Sequence, residues 1–346
     1  MKGLNILDRF LFFINAVLAL LLLISCAVPQ IPVAQFPYFS ILSLMVPLLV
    51  LLNITFHMYW VLKRKKQLWL SAVILFLGYT LLGTFFKFKL SEVPIQNGEL
   101  SIMTYNVRGF NKYDWIEDAS IGDQILDLIV SETPDILCIQ EFSRIRHRQL
   151  KNTYDYIYTT DYNLARRKTI QAIYSKYPII QGGSLDFPDS SNNALFADLV
   201  VDKDTLRVYN LHLESHKIIP SVERISGEPK MRLFKRLSKS FAKQGEQAAI
   251  INLHRKASPY RTIVCGDFNN TQFSNVYKVI KGDMLDSFME KGTGYGRTFN
   301  FKYYPVRIDF ILADKALEIV AHKNYDVKLS DHFPVMASVK LDSVLP

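Results

Sequence analysis

Three apolar stretches of about twenty residues each fill the first ninety residues: Phe10 to Val28, Tyr38 to Leu62 and Gln67 to Phe86. A helix needs about 20 apolar residues to cross the hydrocarbon core of a bilayer. With no polar face between them, these stretches have nothing in a soluble core to pack behind. They read as three transmembrane helices, so residues 1–90 form a membrane anchor. Positive charges set the orientation. Lys63, Arg64, Lys65 and Lys66 assign the loop between spans two and three to the cytoplasm, and Lys2 and Arg9 place the N-terminus with it. The uncharged PQIPVAQFPY loop falls outside. Three crossings then leave everything after Phe86 outside, against the weaker pull of Lys87 and Lys89. The expected location is the plasma (inner) membrane, multi-pass, with the bulk of the chain on the extracytoplasmic side.

Within the first span, Leu23-Ile24-Ser25-Cys26 is similar to a bacterial lipoprotein cleavage box. Two further spans already anchor the chain, so Cys26 is read as an ordinary helix cysteine. The formal net charge of +9 is uneven: residues 1–90 hold eight Lys/Arg and one acid, Asp8. The remainder carries only +2, which is no nucleic-acid footprint. Three cysteines exclude a disulfide framework. Cys138 and Cys265 sit in apolar runs and read as buried thiols, with a bridge between them left open.

From residue 91 onward the pattern changes to short apolar runs separated by turn signals. Strands are expected at Leu100–Val107, Asp135–Glu141, Ala194–Val201, Leu206–Leu213, Thr262–Phe268, Arg307–Leu312 and Phe333–Leu341. Helices are expected at Ala119–Ser131 and over about Lys230 to Lys256. The second carries Arg232, Lys235, Arg236, Lys239 and Lys243, either a solvated face or a contact for an anionic surface or substrate. Many strands and few helices imply one α/β domain, 91–346, built as a sandwich with helices outside the sheets.

Polar residues gather at strand ends. SIMTYN ends at Asn106 and DILCIQE at Glu141. His212 lies near the end of VYNLHLES, and TIVCGDFN ends with Asp267 and Asn269. Asp309 opens RIDFIL, and Asp331-His332 open DHFPV. The carboxyl end of one strand lies beside the amino end of an antiparallel neighbour, so a mixed sheet brings all these groups to one rim. Carboxylate and amide oxygens without thiolates suit a hard cation, Mg²⁺ or Mn²⁺. Asp and His together handle a proton and a developing negative charge. That combination fits hydrolysis of a phosphate ester.

MTYNVRGFN, IQE, NLHLES, CGDFNN, RIDFIL and SDHFPV, in that order, resemble the endonuclease/exonuclease/phosphatase family with the pancreatic deoxyribonuclease-like fold. YSKYPI at Tyr174–Ile179 is similar to a segment of its sphingomyelinase-like and phosphatase-like branches. The resemblance implies a four-layer α/β sandwich of two packed mixed β-sheets flanked by helices. It implies that Glu141 binds the metal, with Asn106 close by and Asp331 reaching it directly or through water. Asp267 would position and deprotonate the attacking water, with Asn269 holding phosphate or that carboxylate. His332 would contact the scissile phosphate, with Asp309 accepting its other N–H, and His212 would donate to a phosphate oxygen or assist the leaving group. His216 has no counterpart and is assigned to the surface. Abasic-site nucleases of the family carry an acid where this chain has Arg108, which argues against that activity.

The resulting expectation is a membrane-anchored, Mg²⁺-dependent phosphodiesterase. Its partners would be membrane lipid and a phosphate-ester substrate, either a phospholipid or sphingolipid headgroup. The alternative is an extracytoplasmic nuclease acting on DNA or RNA. No protein partner is inferable. A pseudoenzyme scaffold is disfavoured because Glu141, Asp267, Asn269 and His332 are all present.

Overall fold

The computed structural model describes residues 4–88, 94–96, 98–161, 168–217, 229–301 and 304–341. The chain divides into two compact units. One comprises residues 1–85 together with 230–245 and 270–278, and the other comprises 86–229, 246–269 and 279–346.

In the first unit, α1 (Ile6–Ala27) and α2 (Ile41–Leu62) have 22 residues each. At 1.5 Å per residue each is about 33 Å long, which matches a hydrocarbon core of about 30 Å. Both are long and apolar enough to cross a membrane. The third stretch is shorter than expected. Its helix, α3 (Leu68–Leu82), has 15 residues and stops at Gly83, whose φ of 76° ends the helical path. Among the described residues, two helices therefore meet the length criterion for a span, not three. Asn15 joins all three helices: its Nδ2 donates to Ser71 Oγ (2.8 Å) and its Oδ1 accepts from Trp60 Nε1 (3.0 Å). An apolar cluster of Ala19, Leu22, Val46, Leu49, Ile74 and Phe273 fills the space between them.

The second unit is an α/β sandwich. Strands β1 (Leu100–Asn106), β2 (Ile136–Gln140), β3 (Tyr156–Thr159), β4 (Ala172–Ser175), β11 (Leu317–Asn324) and β12 (Val335–Leu341) form one sheet, ordered β11-β12-β1-β2-β4-β3. Strands β5 (Ile179–Asp186), β6 (Asn193–Val201), β7 (Asp204–His212), β8 (Arg261–Asp267), β9 (Leu285–Asp286) and β10 (Asp309–Ala313) form the other, ordered β5-β6-β7-β8-β10-β9. Both sheets are mixed: β1–β2 and β7–β8 run parallel and the other pairs antiparallel. The helices are α4 (Ile121–Glu132), α5 (His147–Leu150), α6 (Lys230–Lys256), α7 (Asn275–Lys281) and α8 (Ser287–Lys291).

Strand alternation explains the layers. Leu100, Ile102, Ile136 and Cys138 face the core between the sheets, with Val208, Cys265 and Ile311 opposite. Met103, Tyr105, Leu137 and Ile139 point the other way, into a cluster with Ile121, Ile125 and Ile129 of α4. On the outer side of the other sheet, Tyr209 OH meets His254 Nδ1 of α6 at 2.8 Å. All three cysteines are free and buried.

Candidate active site at the strand ends

The rim anticipated above forms where β1, β2, β7 and β8 end, β10 begins and the loop before β12 passes. Antiparallel register places Asp309 directly opposite Asp267, and parallel register places His212 beside Asp267. Gly266 permits the second pairing. A Cβ there would fall 2.1 Å from the Leu211 carbonyl oxygen, and φ is +131°. Glu141 (φ 49°) and Asn269 (φ 48°) sit in left-handed backbone, which Asn tolerates but which costs a residue such as Glu about 1–2 kcal/mol. Strain of this kind concentrates at functional sites.

Asp267 is the hub. Its Oδ2 accepts from Asn106 Nδ2 and Asn269 Nδ2, both at 3.1 Å, and its Oδ1 accepts from Asn269 N at 2.7 Å. His212 Nε2 and His332 Nε2 lie 3.7 and 3.6 Å from Oδ2. Asn106 Nδ2 also donates to Glu141 Oε1 (3.3 Å), which His212 Nε2 approaches to 3.9 Å. Asn106 thus turns N–H, not oxygen, toward the carboxylates, while its Oδ1 accepts from Arg108 N. Asp309 holds His332 through Nδ1 at 2.9 and 3.1 Å.

Burial sets the electrostatics. It pushes the Asp309 carboxyl up, the neighbouring His332 works against it, and the result is about 6. For His332 burial acts downward, but the Asp309 and Asp267 carboxylates outweigh it and the imidazole is raised to about 10. The pair therefore rests as carboxylate and imidazolium near neutrality.

Ligand atoms of Asp267, Asp309 and His332 lie within 4.8 Å of one another. Two buried carboxylates beside the partly exposed Glu141 leave negative charge that one imidazolium does not balance, and the donors are oxygen and nitrogen without thiolate. The residues fit a hard divalent cation. Asp331 points elsewhere: its Oδ2 pairs with Arg108 Nη1 (3.0 Å) and its Oδ1 accepts from Ser330 Oγ (3.2 Å). His216, expected at the surface, is buried.

Several neighbours carried no sequence signal. Thr298 Oγ1 accepts from the Asp309 and Ile308 amides, and Thr169 Oγ1 reaches His212 Nδ1 at 3.3 Å. Below the rim, Gln140 Nε2 donates to Asn210 Oδ1 (2.6 Å), linking β2 in one sheet to β7 in the other. Gln140 could have been found as the polar residue in the apolar run ILCIQ. Thr169 and Thr298 lie in loops and offered no pattern.

This arrangement has a known counterpart: residues 103–332 match the Endonuclease/Exonuclease/phosphatase family. The chain belongs to that family. Members of the endonuclease/exonuclease/phosphatase family are divalent-metal-dependent hydrolases of phosphoester bonds. Residues 8–85 match a separate domain of unknown function (DUF8431). No curated protein matches the sequence. Among solved structures, D. rerio TDP2 complexed with single-strand DNA product is similar at 16% identity and TM-score 0.52, covering 70% of this chain and 100% of that one. Bacteroides thetaiotaomicron mannosyl-6-phosphatase is similar at 18% identity and TM-score 0.51, covering 70% and 99%. The human Nocturnin catalytic domain with bound sulfate is similar at 14% and 0.50, covering 72% and 96%. At these identities the likeness is one of fold.

Proposed function

We propose that this chain is a membrane-anchored phosphodiesterase that hydrolyses its substrate by in-line attack of water, with a phospholipid or sphingolipid headgroup as substrate. The observation that carries the hydrolytic reading is the convergence of two imidazoles and two carboxamides on Asp267. With both oxygens fixed by N–H donors, Asp267 orients a water and takes its proton. His332, aligned by Asp309, donates to the phosphoryl group, and His212 holds a phosphate oxygen or protonates the leaving group. Glu141 would hold Mg²⁺ (or Mn²⁺) together with the Asp267–Asp309 pair; Asn106 and Asp331 would join it only by turning an oxygen away from Arg108, where both now point. The ion would supply Lewis acidity and charge neutralisation at the phosphoryl oxygens.

Residues 1–90 are read as the anchor and 91–346 as the catalytic domain. The extracytoplasmic reading draws support from the first unit. Lys63 pairs with Asp8 at 3.8 Å, so the basic loop and the start of α1 share one end. Asn275 Nδ2 donates to Pro29 O (2.8 Å) and Thr271 Oγ1 to Ser43 O (3.1 Å), at the opposite end. Thr271 and Asn275, both of the first unit, are at the end away from the positive charges, and the charge rule reads that end as the outer one.

One observation favours a nuclease as the second reading. Just after Asn106, Arg108 stacks on Trp115 (4.2 Å) and Lys112 on Tyr113 (4.7 Å), and both rings are exposed. Cations interleaved with aromatic faces bind single-stranded bases. The deciding experiment assays the purified full chain with Mg²⁺ on lipid-tailed diesters, oligonucleotides and inositol phosphates. Release of a lipid headgroup, abolished by chelator, is expected. Turnover of oligonucleotides alone, impaired by Trp115→Ala, would replace the lipid reading with the nuclease one.

A further inference from the structure

The first half of α6 is left unexplained by hydrolysis. Residues 230–245 contain six Lys/Arg and no acid. They belong to the same compact unit as the apolar helices. Two contacts fix how the helix lies there. The Phe234 ring stacks on Tyr38 with centroids 5.1 Å apart and planes at 13°. At Gly245 a Cβ would fall 2.3 Å from Val33 Cγ1, so the helix backbone rests directly on the loop between α1 and α2. These contacts are eleven residues apart, about 16 Å along the helix, yet both fall on the short Val33–Tyr38 stretch of loop. The helix therefore runs across the end of the hairpin. Asn270 Nδ2 donating to Gln244 Oε1 (2.7 Å) holds it there from the side of the 270–278 segment.

The helix is two-faced. Leu237, Phe241 and Gln244 are buried, at spacings of four and three. Arg232, Lys235 and Lys239, at spacings of three and four, form an exposed stripe with Lys230 before it. Met231 and Phe234 are also exposed, as are Phe36, Tyr38 and Phe39 in the loop it crosses. Aromatic rings at the end of a spanning hairpin mark the headgroup level, and a basic stripe at that level faces phosphates.

We infer that the Arg232–Lys235–Lys239 face of α6 is a binding surface for anionic lipid headgroups of the bilayer that α1 and α2 cross. The inference rests on the membrane reading of those helices but not on the hydrolytic chemistry. Charge complementarity and continuity with the hairpin favour a lipid surface over a nucleic acid. The competitor would instead have to approach a helix laid across the ends of membrane-spanning segments.

The test uses the full chain in nanodiscs of phosphatidylcholine alone or with about 30 mol% phosphatidylglycerol, reading hydrogen–deuterium exchange over residues 230–243. Exchange should slow about threefold in the anionic discs, and about 0.5 M NaCl should reverse the effect. The variant R232E/K235E/K239E should show no difference between discs. If it fails to fold, K235Q/K239Q should show a reduced difference. Equal exchange of the unmodified chain in both discs overturns the surface inference alone. Slowing by an added oligonucleotide, with none from phosphatidylglycerol, overturns it in favour of nucleic acid. A chain that never enters the discs overturns the membrane reading beneath it and leaves the phosphoesterase reading intact.

Discussion

His322 and His332 stand ten residues apart, both buried, and burial has opposite outcomes at the two. His322, on the edge strand β11, meets a hydroxyl and an amide: Ser287 Oγ at Nδ1 and Asn324 Oδ1 at Nε2, both 2.9 Å. Loss of water dominates, and its imidazole falls to about 4. His332 loses water too, yet the Asp309 and Asp267 carboxylates carry it up to about 10. Depth does not decide whether a ring is charged; the charge of what touches it does. One neighbourhood is settled as neutral hydrogen bonding, whereas the other keeps like-charged carboxylates together, as a reaction centre requires.

Breaking the charged side should have the largest effect. Asp267→Ala should lower phosphoesterase turnover about thousandfold, or about 4 kcal/mol of barrier. Thermal unfolding should show no comparable loss, because one of two repelling carboxylates is gone. A parallel loss of stability would mean that Asp267 is structural. Acid should expose the neutral side. The folded value of His322 lies below its unfolded one, so the unfolded chain binds protons first. Stability is then full above about pH 6.5 and falls by about 3 kcal/mol as pH drops through 4. Urea titrations across that window should show this slope, and His322→Gln should flatten it.

Asp309→Asn sharpens the contrast by giving His332 a neutral partner like those of His322. Turnover should fall about thirtyfold, roughly 2 kcal/mol, and the His332 resonance in NMR should titrate well below its position in the unmodified chain. An unchanged titration would assign its protonation to Asp267 alone. The smallest effect is expected from Ser287→Ala, which leaves His322 Nδ1 without its donor. That should cost about 1–2 kcal/mol in chemical denaturation and nothing in turnover at saturating substrate.

The strands that carry the rim were readable because a short apolar run and a polar residue at its end coincide in each. SIMTYN and TIVCGD are short, mostly apolar runs, buried along nearly their whole length, that change character at their last residue. Elsewhere that signal fails for physical reasons. β11 shifts register between Ile319 and Ala321, which breaks the period, and β5 holds two glycines on a partly exposed edge. β3 and β4 have four residues each, too few for a pattern. The third apolar stretch looked long enough because hydropathy does not register the turn at Gly83. The Arg108–Asp331 pair depends on left-handed backbone at Arg108 (φ 43°), which no residue type announces.

The first unit is assembled from three separated pieces of chain, with Phe273 lodged among Ala19, Leu22 and Val46. Its helices are thus no interchangeable cassette. An evolutionary or engineered exchange of residues 1–85 would have to carry matching changes near Val33's neighbour Gly245 and around Phe273. Without them, the incoming hairpin would meet a surface shaped for another.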